Sequence, residues 1–283
     1  MIEKYYDGAI EQVAAGLGTV EKNYLLVRYS GQFSVENLND TKQLEKNEDI
    51  FVQVHEFETG EITCAYEPYL TMICDGFRRY MTGTFEEFME TCDVYYLHRP
   101  VLLGYFNQDN TGREEIILLD EVAYEQERML AALERMLCAI ADRHPVLFVL
   151  NRFQLASKST MQLTARFLKC ENCNIGLVLG VSDIQAMPEF LVPDWEMLYE
   201  TLDDGSKIYH IGNSGRKKEE TIDDEKYVDY GSEKVYRKLQ NMVEFLDFDQ
   251  AAYYLETIER KIKFDNLLVD DAARFRMWLL FVK

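Results

Sequence analysis

The sequence predicts an α/β protein built on a parallel sheet, followed by an all-helical segment. Three observations carry this. From residue 1 to about 213, short apolar runs alternate with helical patterns, the signature of strands joined by crossover helices. Two of the runs, VLFVL at 146–150 and IGLVLG at 175–180, contain no polar residue, as strands covered on both faces require. After about residue 230 strand-like runs cease and only helical spacing remains.

Each element follows from its own spacing. Ile10, Val13, Ala14 and Leu17 recur at helical intervals, and Gly16 and Gly18 suit the C-cap of that helix, because they precede the first strand instead of following it. Residues 24–27 (YLLV) and 51–55 (FVQVH) read as the first two strands. Leu70, Ile73, Cys74 and Phe77 mark a helix opening after Pro68. Val122, Met129, Leu130, Leu133, Met136, Leu137 and Ile140 form the strongest amphipathic pattern, which His144-Pro145 ends. The strand at 146–150 follows, then a helix through Met161, Thr164, Ala165 and Leu168, the strand at 175–180, and a final strand at 207–211. Residues 214–230 are polar and charged and read as a linker or exposed crossover.

Beyond it, three apolar faces repeat: Val235, Leu239, Met242, Val243 and Leu246; Ala251, Tyr254, Leu255, Ile258 and Ile262; Ala273, Met277, Leu280 and Phe281. The expected organisation is therefore an α/β domain over 1–213, a linker over 214–230 and a helical segment over 231–283.

A chain of 283 residues holds one large domain or two ordinary ones. With 47% hydrophobic and 28% charged residues it has the profile of a folded protein. No stretch approaches the roughly 20 apolar residues of a membrane span, and the N-terminus lacks a basic region followed by an apolar run. A cytoplasmic location is expected. The net charge of −20 repels nucleic-acid phosphates and anionic lipid. Neither nucleic acid nor membrane is therefore expected as a partner. The densest basic group, Arg216-Lys217-Lys218, is followed at once by Glu219-Glu220 and reads as a solvated loop.

Other constellations are weak. Six cysteines do not make a disulfide framework in a chain this large. Cys170 and Cys173 have C-x-x-C spacing but lack the second pair a structural zinc needs, so idle or buried thiols and no metal are expected. His55, His98, His144 and His210 have no helically spaced partners, and neither G-x-S-x-G nor H-E-x-x-H occurs. Asp203-Asp204 and Asp223-Asp224 read as solvated turns. Tyr95-Tyr96 and Tyr253-Tyr254 are suited to an interface, where tyrosine is enriched.

The block PVLFVLNRFQLASKSTMQLTARFLKCENCNIGLVLGVSD resembles the second half of the nucleotide-binding domain of STAND-type signalling ATPases, the AAA-related P-loop proteins with helical repeats behind them. In that family an apolar strand ends in two acidic residues, then an apolar residue, Gln or His, Trp, Ala and Asp. A helix and a second apolar strand follow. This chain keeps the frame: residues 148–150 for the strand, Gln154 and Ala156 in register, then 177–180. The stretch from YLLV through FVQVHEFETGEITCAYEPYLTMI resembles the first half, whose second strand precedes a Tyr-x-Pro helix start, here Tyr66-Glu67-Pro68. The resemblance covers about residues 5–213. Behind it, LDFDQAAYYLETIERK resembles a tetratricopeptide-type helix pair, with Ala251 and Ala252 where helices approach closely. Such units stack in series, so either the last helix caps the domain or, as is expected, this is the front part of a longer polypeptide.

The resemblance implies a P-loop NTPase-like fold, a parallel sheet sandwiched by helices, but the chemistry is missing. A phosphate loop reads G-x-x-x-x-G-K-[ST]: backbone N–H groups wrap the phosphates, lysine neutralises them and a hydroxyl holds Mg²⁺. Laid without gaps after the first strand, the two glycines fall on Tyr29 and Ser34, the lysine on Val35 and the hydroxyl on Glu36. A glutamate beside a phosphate at an effective ε of about 20 costs roughly 4 kcal/mol, where lysine would contribute a similar gain. The acidic strand-end positions for Mg²⁺ and water fall on Asn151 and Arg152, and the sensor arginine falls near Asp183.

The resemblance implies a non-catalytic, pseudo-ATPase regulatory and protein-interaction module of a cytoplasmic signalling protein. Its partners would be other proteins, an effector domain of the same polypeptide or further copies of the chain. No catalytic residue and no cofactor are expected, although the resemblance leaves ATP or ADP as candidate ligands. The alternative is an ATPase with a non-standard phosphate loop, its basic residue supplied by Lys22, Arg28 or Arg152. An α/β fold unrelated to P-loop proteins would share the apolar strands and polar turns.

Overall fold

The computed structural model describes residues 2–18, 24–29, 35, 49–58, 63–108, 122–170, 174–182, 187–203, 208–211 and 232–265. In chain order these give α1 (Ile2–Gly16), β1 (Tyr24–Tyr29), β2 (Phe51–Glu56), α2 (Tyr69–Tyr80), α3 (Phe85–Thr91), α4 (Arg99–Asn107) and α5 (Val122–Ala141). There follow β3 (Val146–Asn151), α6 (Lys158–Lys169), β4 (Ile175–Ser182), α7 (Val192–Asp203), β5 (Ile208–Ile211), α8 (Ser232–Glu244) and α9 (Phe248–Asp265). The chain is thus an α/β protein.

All strand pairs are parallel, in the order β2-β3-β4-β1-β5. This matches neither of the two common doubly wound orders, 3-2-1-4-5-6 and 2-1-3-4-5. Strand β1 is inserted between β4 and β5, so β4 alone separates it from β3. The central strands β3 and β4 are buried at every position. Both sheet faces are covered, which explains the unbroken apolar runs.

Alternation along the strands divides the core in two. Leu25, Val27, Tyr29, Leu147, Val149 and Val178 meet Ala9, Ile10 and Val13 of α1 on one face. Leu26, Phe148, Leu150, Leu177 and Leu179 face the opposite way, into the larger cluster fed by α2, α5 and α6. Close approach demands glycine at two contacts. A Cβ on Gly176 would lie 2.7 Å from Val13 Cγ1 of α1, and one on Gly76 would lie 2.9 Å from Ile140 Cγ2 where α2 meets α5.

Local signals set the helix ends. Helix α3 starts at a capping box in which Thr84 Oγ1 accepts from Glu87 N (3.2 Å) and Glu87 Oε2 accepts from Thr84 N (2.9 Å). Helix α1 ends at Gly16, and Gly18 adopts φ +81°. Every strand and helix expected from spacing up to Ile262 is present, within about two residues at most ends. Helices α3, α4 and α7 were not expected, because short helices with few inward positions leave a weak periodicity. The apolar face expected at Ala273, Met277, Leu280 and Phe281 and the linker 214–230 lie outside the described residues.

Helices α8 and α9 dock on the α/β body. Phe245, between them, is 1% exposed and lies in the larger core cluster. Its ring meets Tyr66 and Tyr105 edge-on, with centroids 6.1 and 5.9 Å away. Asn241 Oδ1 accepts from Ala65 N at 3.0 Å, and Gln126 donates to the Leu246 carbonyl. Tyr253 packs on Phe190.

Candidate functional site

In a parallel sheet, ligands gather beyond the carboxyl ends of the strands, where the connections diverge. The carboxyl ends of β1 and β3 carry the positions that the sequence pattern singles out. Leu25 and Val27 face α1, so Tyr29, two residues on, faces the same way. Leu147 and Val149 do likewise in β3, which directs Asn151 to that face. Between them, alternation from Val178 puts Gly180 and Ser182 of β4 on this face, both small. The long tyrosine side chain reaches across: Tyr29 Oη donates to Asn151 Oδ1 at 2.7 Å, and both residues are fully buried.

A charged pair adjoins this bond. Arg152 Nη2 lies 3.3 Å from Glu56 Oε1 at the end of β2. The other oxygen, Glu56 Oε2, accepts from Val35 N at 3.1 Å. Val35 is 1% exposed and belongs to the same apolar cluster as Tyr29. Arg152 holds a left-handed backbone conformation, φ 54° and ψ 41°, as the chain leaves β3 for a 3-10 turn over Phe153–Leu155. Burial pushes the Tyr29 phenol up to about 12, against the opposing pull of Arg152 and the Asn151 hydrogen bond. The phenol is therefore neutral at physiological pH and acts as a donor. Burial lowers the neighbouring His55 below its usual range, with Glu56 opposing.

Four of the seven sequence-selected positions, Tyr29, Val35, Asn151 and Arg152, thus meet in one network. Ser34, Glu36 and Asp183 lie outside the described residues, as does Lys22. Arg28 points away from the Tyr29 face and lies 5.9 Å from the Tyr199 ring centroid. Sequence reasoning missed Glu56, whose only mark was an acidic residue closing an alternating strand. It also left Gln154 without a role. That side chain bonds Ser182 at the end of β4 twice, donating to its carbonyl and accepting from its N–H, both at 3.3 Å. Side-chain bonds thus lie at the carboxyl ends of β1, β2, β3 and β4.

A second cluster lies elsewhere. Buried His98 pairs through Nε2 with Glu125 Oε2 at 2.8 Å. Arg128 reaches Glu125 Oε1 at 3.3 Å and sits over the rings of Tyr95 (4.1 Å) and Tyr124 (4.3 Å). Tyr96 and Tyr124 are both 61% exposed. Within each group, Tyr95 and His98 or Tyr124, Glu125 and Arg128, the spacing is helical, but nothing local links the two groups, which meet through the His98–Glu125 pair 27 residues apart. Cys170 is half-buried, and Cys173 lies outside the described residues.

Among the described residues no group of three His, Cys, Asp or Glu side chains is placed to hold a metal ion. No described helix is long and apolar enough to cross a membrane. No protein-family model matches the chain, and neither does any curated protein.

Proposed function

We propose that the chain is a degenerate STAND/AAA-like P-loop module that has lost nucleotide hydrolysis and acts in regulation through protein contacts. The observation that carries this reading is the buried Tyr29–Asn151 hydrogen bond. In the aligned pattern Tyr29 replaces the first glycine of the phosphate loop, and Asn151 replaces the carboxylate that would hold Mg²⁺. Here the two side chains bond to each other, which supports a reading in which the positions that would serve phosphate and metal serve the protein's own packing. Val35, at the lysine position, is buried among apolar side chains. Arg152, the cation beside the Tyr29–Asn151 bond among the described residues, is opposed by Glu56, so an incoming phosphate would have to displace a carboxylate first.

Helices α8 and α9 support the rest of the reading, a tetratricopeptide-like segment behind the α/β domain. They use the body as the neighbour that a lone repeat lacks, and partner proteins or an effector domain would act on this layer. The setting would be a cytoplasmic signalling protein.

Calorimetric titration with Mg-ATP is the test. The expected outcome is no heat of binding and no turnover. Micromolar binding with turnover would overturn the proposal, and loss of that turnover in Arg152→Ala would establish an ATPase with a non-standard loop. A rise in melting temperature with ATP plus EDTA would instead identify a nucleotide held as a structural ligand without metal.

A further inference from the structure

The stretch from Asn151 to Thr160 makes more bonds to other elements than a strand-to-helix turn requires. The Asn151 carbonyl accepts from Phe57 N at 3.1 Å, and the Leu155 carbonyl accepts from the Thr63 hydroxyl at 3.2 Å. Gln154 grips the end of β4. Ser159 Oγ accepts from Tyr66 N at 3.0 Å, and Thr160 Oγ1 donates to the Glu67 carbonyl at 2.8 Å. Phe153, Gln154, Ala156, Ser157, Ser159 and Thr160 are all buried. Such a segment has little slack: a shift at one end must displace packed side chains at the other.

Asp247 occupies the far end. It is 2% exposed, and its Oδ2 accepts from Ser159 N at 3.1 Å, in the first turn of α6. The same carboxylate accepts from the backbone of Gln250, in the first turn of α9. Two helix N-termini, each with a partial positive charge, converge on one carboxylate. Beside it Lys158 pairs with Asp249.

We infer that residues 151–160 form a relay joining the Tyr29–Asn151 network to the docked α8–α9 pair, with Asp247 as its latch. Loosening the helix pair loosens the strand ends, and loosening the strand ends loosens the helix pair. Coupling between two sites is reciprocal, so it must be readable from both ends. The relay stands on these contacts alone and holds whether or not the strand ends bind nucleotide.

Amide hydrogen exchange of the full chain, followed by mass spectrometry, tests it with two variants. Asp247→Asn keeps the shape but cannot offer two carboxylate oxygens to two helix N-termini. Tyr29→Phe removes only the hydroxyl that reaches Asn151. Asp247→Asn is expected to speed exchange about 5-fold or more not only in 239–258 but also in 24–29 and 146–151. Tyr29→Phe is expected to do so in 239–258 as well as in the strands. Helix α3, which bonds to no residue of the relay in the contacts above, is expected to change little. Effects confined to each variant's own surroundings overturn the relay, and so does a uniform rise that includes α3. Should Asp247→Asn not fold, the Tyr29→Phe result decides alone.

Discussion

At the scale of single residues, two buried polar groups set the behaviour of the molecule. Tyr29 is the first. Replacing it with Phe keeps the ring and its packing but leaves Asn151 Oδ1 without the phenol donor. A buried acceptor that loses its donor costs about 1–3 kcal/mol. The urea midpoint of Tyr29→Phe is expected to fall accordingly; an unchanged midpoint would mean that the bond contributes nothing to closing the strand ends. Asp247 is the second. Burial raises its carboxyl above the usual range, opposed by hydrogen bonds from Ser159 and Gln250 and by Lys158. A carboxyl raised on folding binds its proton more tightly in the folded state. Its contribution is therefore most favourable below the unfolded pKa of about 3.9 and is lost as pH rises through the folded value. Asp247→Asn does not titrate. The stability of wild type minus that of Asp247→Asn is thus expected to increase as pH is lowered from neutrality, in urea titrations at matched pH. Subtracting the variant removes His55 and Glu67, which titrate in both proteins. A difference that shrinks on acidification would contradict the raised carboxyl.

At the scale of elements, close approach limits what the sequence can change. Helix α2 meets α5 at Gly76, where a methyl group would come within 2.9 Å of Ile140 Cγ2, 3.1 Å of its Cδ1 and 3.2 Å of Phe51 Cε1. Gly76→Ala gains helix propensity of about 1 kcal/mol, yet over-packing costs typically 1–3 kcal/mol. Net destabilisation is expected, seen as a lowered melting temperature; a rise would mean that Ile140 can move aside cheaply. Elements were also what the sequence disclosed best. Strands β3 and β4 were legible because a fully covered strand has no polar residue to blur the run. Capping signals, D-x-x-Q at Asp247 and Gln250 before α9 and Thr84 three residues before Glu87 at α3, are present but lie outside the apolar periodicity, which is why α3 was not expected. The site was legible only as substitutions in a pattern. Tyr29 and Asn151 are 122 residues apart, and their bond depends on sheet order, which no local spacing encodes. Glu56 and Asp247 act through backbone groups of distant segments, and a backbone partner leaves no trace in side-chain identity.

At the scale of the whole molecule, the sequence pattern draws a boundary at 213–231 that the contacts cross. Phe245 lies in the core cluster shared with α2, α5 and β3, and full burial of such a side chain contributes about 1.5–3 kcal/mol. Asn241 and Asp247 accept from Ala65 N and Ser159 N of the α/β body. Removing the helices would expose an apolar socket and strip acceptors from two backbone donors. Against this, the net charge of −20 favours expansion through self-repulsion, so the margin for losing a shared core is small. The intact chain is therefore expected to unfold in urea in one transition, with fluorescence and far-ultraviolet circular dichroism coincident, as for a single cooperative unit. A chain cut after residue 213 is expected to unfold at a lower urea concentration than the intact protein. If residues 1–213 and 231–283 were instead independent domains, the intact chain would show two separable transitions and the cut would leave the first midpoint unmoved. The contacts through Phe245, Asn241 and Asp247 favour the single transition, because each commits a buried group on one side of the boundary to a partner on the other.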